Sequence, residues 1–185
     1  VPTMGTAYVQ QLKTLGLELS MQRFDDFPTL MDNARLFTSY PALATDVFDQ
    51  LYDAMQKAAD GAASPPEKIR SIAHALLEFS SDHRMYYDFL DYFISTPRTI
   101  FPPEMKQRVD YHGNRILEPV AEAIREGINS NDFRQVDPGR HALIFFGAVH
   151  GFLHFRKLQD TVLKNENFKD MYNETIECFI NGLKA

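Results

Sequence analysis

The chain has 185 residues, 44% of them hydrophobic and 24% charged, and a formal net charge of −6. These values are typical of one globular domain and exclude collagen-like, silk-like and low-complexity chains. A protein that coats nucleic acid is expected to be basic, so contact of this acidic chain with nucleic acid should be confined to a local surface. The single cysteine, Cys178, excludes an intramolecular disulfide framework and a multi-cysteine metal site, and it fits a reducing cytoplasm.

The longest apolar run, residues 142–149, is much shorter than the ~20 residues that a membrane-spanning helix needs. The first residues lack the basic and apolar segments of a secretory signal. We therefore expect a cytoplasmic protein without a membrane anchor.

Helical spacing recurs along the chain, and the sequence has no convincing period-2 run between hairpin turns. A helix is predicted over residues 6–22 and a short one over 28–35. Ser39 can cap a third helix that ends at Gly61. Its predicted buried stripe consists of Leu43, Val47, Leu51, Ala54 and Ala58.

Ser64-Pro65-Pro66-Glu67 has the pattern of a capping box, in which the hydroxyl and the carboxylate satisfy free backbone N–H groups. It predicts a helix that ends near Asp82. The apolar face of this helix comprises Ile69, Ile72, Ala73, Leu76 and Phe79. The next segment, 83–95, is apolar nearly all round and should be buried on most sides, and 97–103 is predicted to be a loop.

A long helix is predicted over 104–129, with a kink at Pro119. Its inward residues are predicted to be Val109, Ile116, Val120, Ala123 and Ile124. Asp137-Pro138 should cap and open a helix to about residue 158, because aspartate favours the cap and proline the first turn. The last helix spans roughly 167–183, with an inward face of Phe168, Tyr172, Ile176, Phe179 and Ile180. The predicted fold class is all-α, with about eight or nine helices.

Several features follow one another over roughly the last sixty residues. They are the segment 126–134, Asp137-Pro138, an apolar helix interrupted by Gly147 and Gly151, and a closing helix that ends near Leu183. In this order they resemble the effector domain of the tetracycline-repressor (TetR) family of bacterial transcription regulators. The resemblance implies that residues 41–185 form a helical bundle that binds a ligand and dimerises.

The first forty residues also resemble this family, in its DNA-reading head. Residues 17–19, 24–26 and 29–34 are similar to the first helix, the bend and the second helix of that head. Residues 37–43 are similar to the junction that begins its fourth helix, with Tyr40 and Pro41 where Lys and Glu are usual. Only Arg35 and Leu36 separate these matches, whereas a helix-turn-helix needs a full second helix in the major groove.

The charged residues of the first forty positions also indicate that the DNA-reading head is incomplete. Up to Tyr40 the cations are Lys13, Arg23 and Arg35, and the acidic residues are Glu18, Asp25, Asp26 and Asp32. Phosphate contacts normally draw on several lysines and arginines. We therefore expect residues 1–40 to form a degenerate helix-turn-helix-like head with impaired binding of operator DNA. The alternative is a recognition segment that this sequence omits.

By this resemblance, a small hydrophobic or aromatic effector fills a cavity between helices and changes the spacing of the two heads of a dimer. The candidate effector-binding residues are mostly aromatic, with an apolar body and in some a polar tip. They are Tyr86, Phe89, Phe93, Tyr111, His112, Arg115, Phe145 and Phe152. For each of them, packing in the core or an interface is the alternative interpretation.

The resemblance also implies that the last two helices form a four-helix seam with those of a twofold mate, which makes the protein a homodimer. Its candidate residues are Phe146, Gly147, His150, Gly151, His154, Tyr172, Ile176 and Phe179. The spacing of Gly147 and Gly151 permits close helix approach, between subunits or within one. His150 and His154 share a helical face, but the sequence shows no third metal ligand beside them, so we interpret them as polar positions in the seam or cavity wall.

Sequence motifs of catalysis are missing, including the Gly-x-Ser-x-Gly elbow, the phosphate-binding Gly-x-x-x-x-Gly-Lys loop and His-Glu-x-x-His. Cys178 is expected to be a buried structural thiol. We therefore predict a TetR-like regulator that is not an enzyme and has no cofactor and no metal. The alternative is a TetR-like module that binds ligand or heterodimerises without binding DNA.

Overall fold

The computed structural model describes residues 40–83, 103–158 and 167–185. Their α-helices are Tyr40–Asp60 (α1), Pro65–Asp82 (α2), Pro103–Arg115 (α3), Glu118–Asn129 (α4), Pro138–His154 (α5) and Phe168–Leu183 (α6); a 3-10 helix, Phe155–Leu158, follows α5. These residues contain no strand, only an isolated antiparallel bridge between Phe133 and Lys184. The all-α prediction is confirmed for this part of the chain. The helices predicted over 6–22 and 28–35, the head 1–40 and most of the apolar segment 83–95 lie outside it.

The buried stripe of α1 differs from the predicted one. Val47 and Leu51 are buried as expected, but Ala54 and Ala58 are only half-buried. The stripe continues through Met55 and Ala59 instead. Four-residue steps from Leu51 keep side chains on one side of the helix, and burial of a methionine removes more apolar surface from water than burial of an alanine does. The side chain of Leu43 lies outside the described part.

The start of α2 was predicted at the right residue but with the wrong hydrogen bonds. The Ser64 hydroxyl donates to Glu67 Oε2 at 3.0 Å, and its side chain makes no capping bond to the backbone. Pro66 has no N–H, so one of the two backbone donors that such a cap can bind is missing, and the hydroxyl binds the Glu67 carboxylate instead. The predicted apolar face of α2 is confirmed as buried: Ile69, Ile72, Ala73, Leu76 and Phe79.

The long helix predicted over 104–129 is two helices, because α3 ends at Arg115 and α4 begins at Glu118. Pro119 lies in the first turn of α4 and does not kink a continuous helix. A proline ring clashes with the carbonyl four residues earlier, here that of Arg115, so the chain breaks at that point and starts again. The inward residues Ile116, Val120, Ala123 and Ile124 are buried as predicted, and the side chain of Val109 lies outside the described part.

Side chains cap the last two helices, and the cap at Asp137 was predicted from the sequence. The Asp137 side chain accepts a hydrogen bond from the Arg140 N–H at 3.0 Å and begins α5. The Asn167 side chain accepts from the Lys169 N–H at 2.9 Å and begins α6. Each cap satisfies a backbone donor that the first turn of a helix leaves without a partner.

The turn between α4 and α5 holds the end of α6. The Phe133 N–H donates to the Gly127 carbonyl at 2.9 Å, and the phenyl ring lies directly over Gly127. Arg134 donates from its backbone to Leu183 O and from Nε to Gly182 O, both at 2.9 Å. These bonds satisfy carbonyls at the C-terminus of α6 that have no partner within the helix.

The core lies between α2, α4, α5 and α6, which belong to one compact unit, Pro41–Ala185. Tyr172 of α6 is fully buried there, and its hydroxyl donates to the Ala73 carbonyl of α2 at 2.7 Å. Burial raises the pKa of Tyr172, so the hydroxyl stays protonated and keeps donating. None of the described helices combines the length and the apolar composition that crossing a membrane requires.

Two ion pairs join α2 to its neighbours at the edge of this core. Lys68 binds Glu126 of α4, with Nζ and Oε2 2.6 Å apart. Arg70 binds Glu177 of α6 through two hydrogen bonds, Nε to Oε1 at 2.5 Å and Nη2 to Oε2 at 2.9 Å. The Arg70 guanidinium lowers the pKa of Glu177, mainly by donating these hydrogen bonds and against the opposing effect of burial.

The Gly127→Ala variant is expected to unfold more easily than the wild type. The added Cβ would lie 2.1 Å from Phe133 Cδ2, so the buried ring must move. Such overpacking typically costs about 1–3 kcal/mol in the free energy of unfolding, more than alanine gains in helix propensity. Chemical denaturation measures the loss. Gly139→Ala is the control, since its Cβ meets only Asp137 Oδ1 at an ordinary 3.6 Å, and equal stability of the two variants would contradict this account.

The Arg70–Glu177 pair should make stability depend on pH. The pKa of Glu177 is lowered in the folded state, so its contribution is fully present above the ordinary value of 4.5 and is lost as pH falls through the folded value. Both side chains are more than a third exposed, so we expect at most about 1 kcal/mol. Denaturation of wild type and Glu177→Gln at several pH values should show their difference shrinking in acid. The exposed neighbour in Glu174→Gln serves as control, and a Glu177→Gln difference that persists unchanged in acid would refute the assignment.

Candidate functional site

The outer face of α5 is an apolar surface, which we define as Leu143, Ile144, Gly147, Ala148 and Gly151. Leu143 is 60% exposed and Ile144 49%. A Cβ added at Gly147 or at Gly151 would meet no atom within 4 Å. Single exposed apolar residues are ordinary, but a row of them along one helix marks a surface for contact with another molecule.

This surface exists because α5 is apolar on both sides. Between Arg140 and Arg156 the sequence has no lysine, arginine, aspartate or glutamate. One side, including Ala142, Phe145 and Val149, is buried within the subunit. A helix that is apolar all round is normally buried all round, whereas the described residues of the subunit cover α5 on one side only.

Three of the residues predicted for the dimer seam lie at or beside the outer face. Gly147 is exposed, and Gly151 and His154 are half-buried. Phe146 and His150 are mostly buried and stack ring on ring, with centroids 5.4 Å apart. The His150 and His154 rings meet edge to face at 5.1 Å. The described residues offer no group of three or more His, Cys, Asp or Glu that could hold a metal ion.

The residues predicted for the seam on α6 face the interior of the subunit. Tyr172 is 0% exposed and Ile176 is 1% exposed, so neither can touch a partner in this arrangement. Phe179 is half-buried, and its ring lies 5.2 Å from that of Phe145. Cys178, which we expected to be buried, is exposed. The reason is that Ile176 and Ile180 both point inward, which turns the intervening residue outward.

Two of the predicted effector residues hold α3 against α1. His112 Nδ1 and Arg115 Nη1 both bind Asp49 Oδ1, each at 2.9 Å. The Arg115 guanidinium also lies over the ring of Tyr52, 4.5 Å from its centroid. These contacts are typical of a structural link between two helices.

The remaining predicted effector residues do not share one environment. Tyr111 is 66% exposed, with its ring edge against His112. Phe145 is fully buried, and Phe152 is half-buried, with its ring 5.3 Å from that of Phe168 on α6. Tyr86, Phe89 and Phe93 lie outside the described residues.

Sequence reasoning missed Asp49 and Tyr52, and nothing local could have identified them. Asp49 is an ordinary helical aspartate in the sequence, and its partners are 63 and 66 residues away. Only the packing of α3 beside α1 brings the charges together. The contacts of Arg156, which is half-buried and lies just after α5, were missed for the same reason.

No protein-family model matches the chain, and no curated protein matches it. Among solved structures, the chain is similar to a protein of unknown function from Rhodococcus sp. RHA1, with a TM-score of 0.67 and 20% sequence identity. The match covers 79% of this chain and 73% of that one. At this identity the similarity concerns the fold alone.

The Asp49→Asn variant should loosen the link between α1 and α3. Asparagine keeps the shape but removes the charge that Arg115 binds, and a pair this exposed contributes about 0.5–1 kcal/mol to the free energy of unfolding. Urea denaturation should show this loss at low salt and a smaller one in concentrated salt, which screens exposed charges. Asp53→Asn, at an exposed position one turn further along α1, is the matched control. Equal stability of the two variants at low salt would contradict the link.

Proposed function

We propose that this chain is a regulator subunit of the TetR type that acts as a homodimer and binds a small hydrophobic or aromatic effector. The observation that carries the proposal is the uncharged outer face of α5, on which Leu143 and Ile144 are exposed. The order of α4, the Phe133 turn, the Asp137 cap and the glycine-containing α5 also agrees with the resemblance found in the sequence.

A second copy of the chain is the occupant that best suits this face. A twofold axis beside α5 would bring the same apolar row from each subunit together, which is how isologous interfaces are built. Gly147 and Gly151 would leave room for a partner helix, because a Cβ added at either would meet no described atom of its own subunit within 4 Å. The face has no charged side chain, so such a contact would not require the desolvation of a charge.

The effector would be hydrophobic or aromatic, because aromatic side chains surround the inner side and the end of α5. Phe145 meets Phe179, and Phe152 meets Phe155, Phe168 and Tyr172. Ligand sites are typically lined by such apolar groups, with a few polar ones that set orientation. An effector that prefers one packing of these helices would shift the dimer between two states.

A second candidate function is a TetR-like module that binds ligand or heterodimerises but does not bind DNA. The specific observation in its favour is that only Arg35 and Leu36 separate the two segments that resemble the head's second and fourth helices. Without a recognition helix the protein cannot read base edges in the major groove.

Selection from a random DNA library separates the two functions. The regulator should enrich one sequence and keep binding it when salt is raised. The module should bind weakly, without sequence preference, and release the DNA as salt rises, because only phosphate contacts remain. Native mass spectrometry of the same preparation reports the subunit number and any small molecule that purifies with the protein.

The Gly151→Leu variant should convert the dimer into a monomer. A Cβ at this position meets no atom of its own subunit within 4 Å, so we expect the fold to be kept, while the new side chain would occupy the position of the proposed partner helix. Size-exclusion chromatography measures the change in size, and circular dichroism checks that the helices remain. Gly139→Leu, in the exposed first turn of the same helix, is the control and should stay dimeric. A Gly151→Leu variant that remains fully dimeric would exclude the outer face of α5 as the seam.

A further inference from the structure

Arg156 forms an unusual cluster at the junction of the 3-10 helix with α2. Its Nη1 donates to the Ser81 hydroxyl at 3.0 Å, and its Nη2 donates to the hydroxyl of Ser80. Ser80 is only 2% exposed, and Arg156 is half-buried. The guanidinium is therefore held in one place by two serines of the last turn of α2.

The two hydroxyls act as pure acceptors toward Arg156. Ser80 donates its proton to the Leu77 carbonyl at 2.7 Å, and Ser81 donates to the same carbonyl at 2.9 Å. A hydroxyl has only one proton to donate, so each oxygen turns lone pairs toward the guanidinium. The side chain of Arg156 is thus held in one orientation before another group binds to it, which reduces the conformational entropy that it loses on binding.

Burial distinguishes Arg156 from the other described arginines that lack an acidic partner. Arg70, Arg115 and Arg125 each bind a carboxylate. Among the residues that the structure describes, Arg134, Arg140 and Arg156 have no carboxylate within ion-pair distance, and of these three only Arg156 is half-buried. The negative end of the α2 dipole favours a cation there, but its effect is smaller than that of a full anion. Two of the five N–H donors bind serine, which leaves others for a further acceptor.

Aromatic rings continue from this guanidinium in a row. Arg156 lies 5.7 Å from the centroid of Phe168, Phe168 lies 5.3 Å from Phe152, and Phe152 lies 6.1 Å from Phe155. Phe168 is buried, Phe152 is half-buried and Phe155 is 46% exposed. The row therefore has a charged end and an accessible apolar end.

We propose that Arg156 and this aromatic row bind a hydrophobic monocarboxylic acid, with the carboxylate on the guanidinium and the hydrocarbon body along Phe152 and Phe155. An arginine fork matches the two oxygens of a carboxylate, and the rings supply the apolar contact. This inference rests on the proposed function, because it names the chemical class of the effector that the regulator would bind.

The test compares acids with neutral molecules of the same shape. Octanoate and phenylacetate are titrated into the wild-type protein, and octanamide and phenylacetamide are titrated in parallel, by isothermal calorimetry. At least one acid should bind roughly tenfold or more tightly than its amide, because only the acid forms charge-assisted hydrogen bonds with Arg156. Failure of both acids to bind, or equal affinity for acid and amide, would overturn the inference.

Two variants locate the site. Arg156→Gln should lose the preference for acid over amide, whereas Arg140→Gln, an exposed arginine at the other end of α5, should keep it. A preference that survives in Arg156→Gln would overturn the assignment. If Arg156→Gln does not fold, the Nε–H resonance of Arg156 in the wild-type protein decides. A shift on addition of acid and none with amide supports the site, and no shift with acid refutes it.

The result is separable from that of the proposed function. A dimer that binds neither acid overturns the inference and leaves the proposed function in place. A monomer that binds acid through Arg156 supports the inference and contradicts the proposed homodimer.

Discussion

The helix α5 is apolar on two sides, and the described residues of its own subunit bury only one of them. Its inner side packs against α4 and α6 and places Phe145, Val149 and Leu153 in the core. Its outer side has no charged residue, and among the described residues a Cβ added at Gly147 or Gly151 would meet no atom within 4 Å. Exposed apolar surface of this kind is unfavourable in water, and association of two copies would remove it from water. We therefore propose a homodimer that buries the outer face of α5.

The neighbouring elements hold α5 in place. The Asp137 cap fixes its start, and the turn at Phe133 ties the preceding loop to the last residues of α6. At its other end Arg156 binds the C-terminal turn of α2 through Ser80 and Ser81. A ligand that binds Arg156 would therefore act at the point where α5, α2 and α6 meet. Because the 3-10 helix that carries Arg156 directly follows α5, this arrangement would give a physical route from the proposed effector to the proposed dimer surface.

Local patterns in the sequence predicted most of the described fold. The cap at Asp137 and the buried face of α2 depend on residues within a few positions of each other, and the sequence contains that information. The break before Pro119 was missed because proline is compatible with both a kink and a new first turn. The hydroxyl of Ser64 was assigned to the backbone, although two following prolines leave it few donors.

The candidate sites were less accessible to prediction, because they depend on contacts between distant residues. His112 and Arg115 were singled out as effector contacts, and in the structure both bind Asp49. Arg156 and Ser80 are 76 residues apart, and no local pattern connects them. The composition of α5 predicts that the helix is apolar, but it does not predict which side of the helix remains exposed. That depends on how α4 and α6 pack.

Sedimentation equilibrium of the wild-type chain measures whether two copies associate. The subunit mass is 21.3 kDa, and we expect the protein to sediment with twice this mass over the micromolar range. A protein that sediments with the mass of one subunit at every concentration would exclude the homodimer, because the outer face of α5 would then face water without a partner.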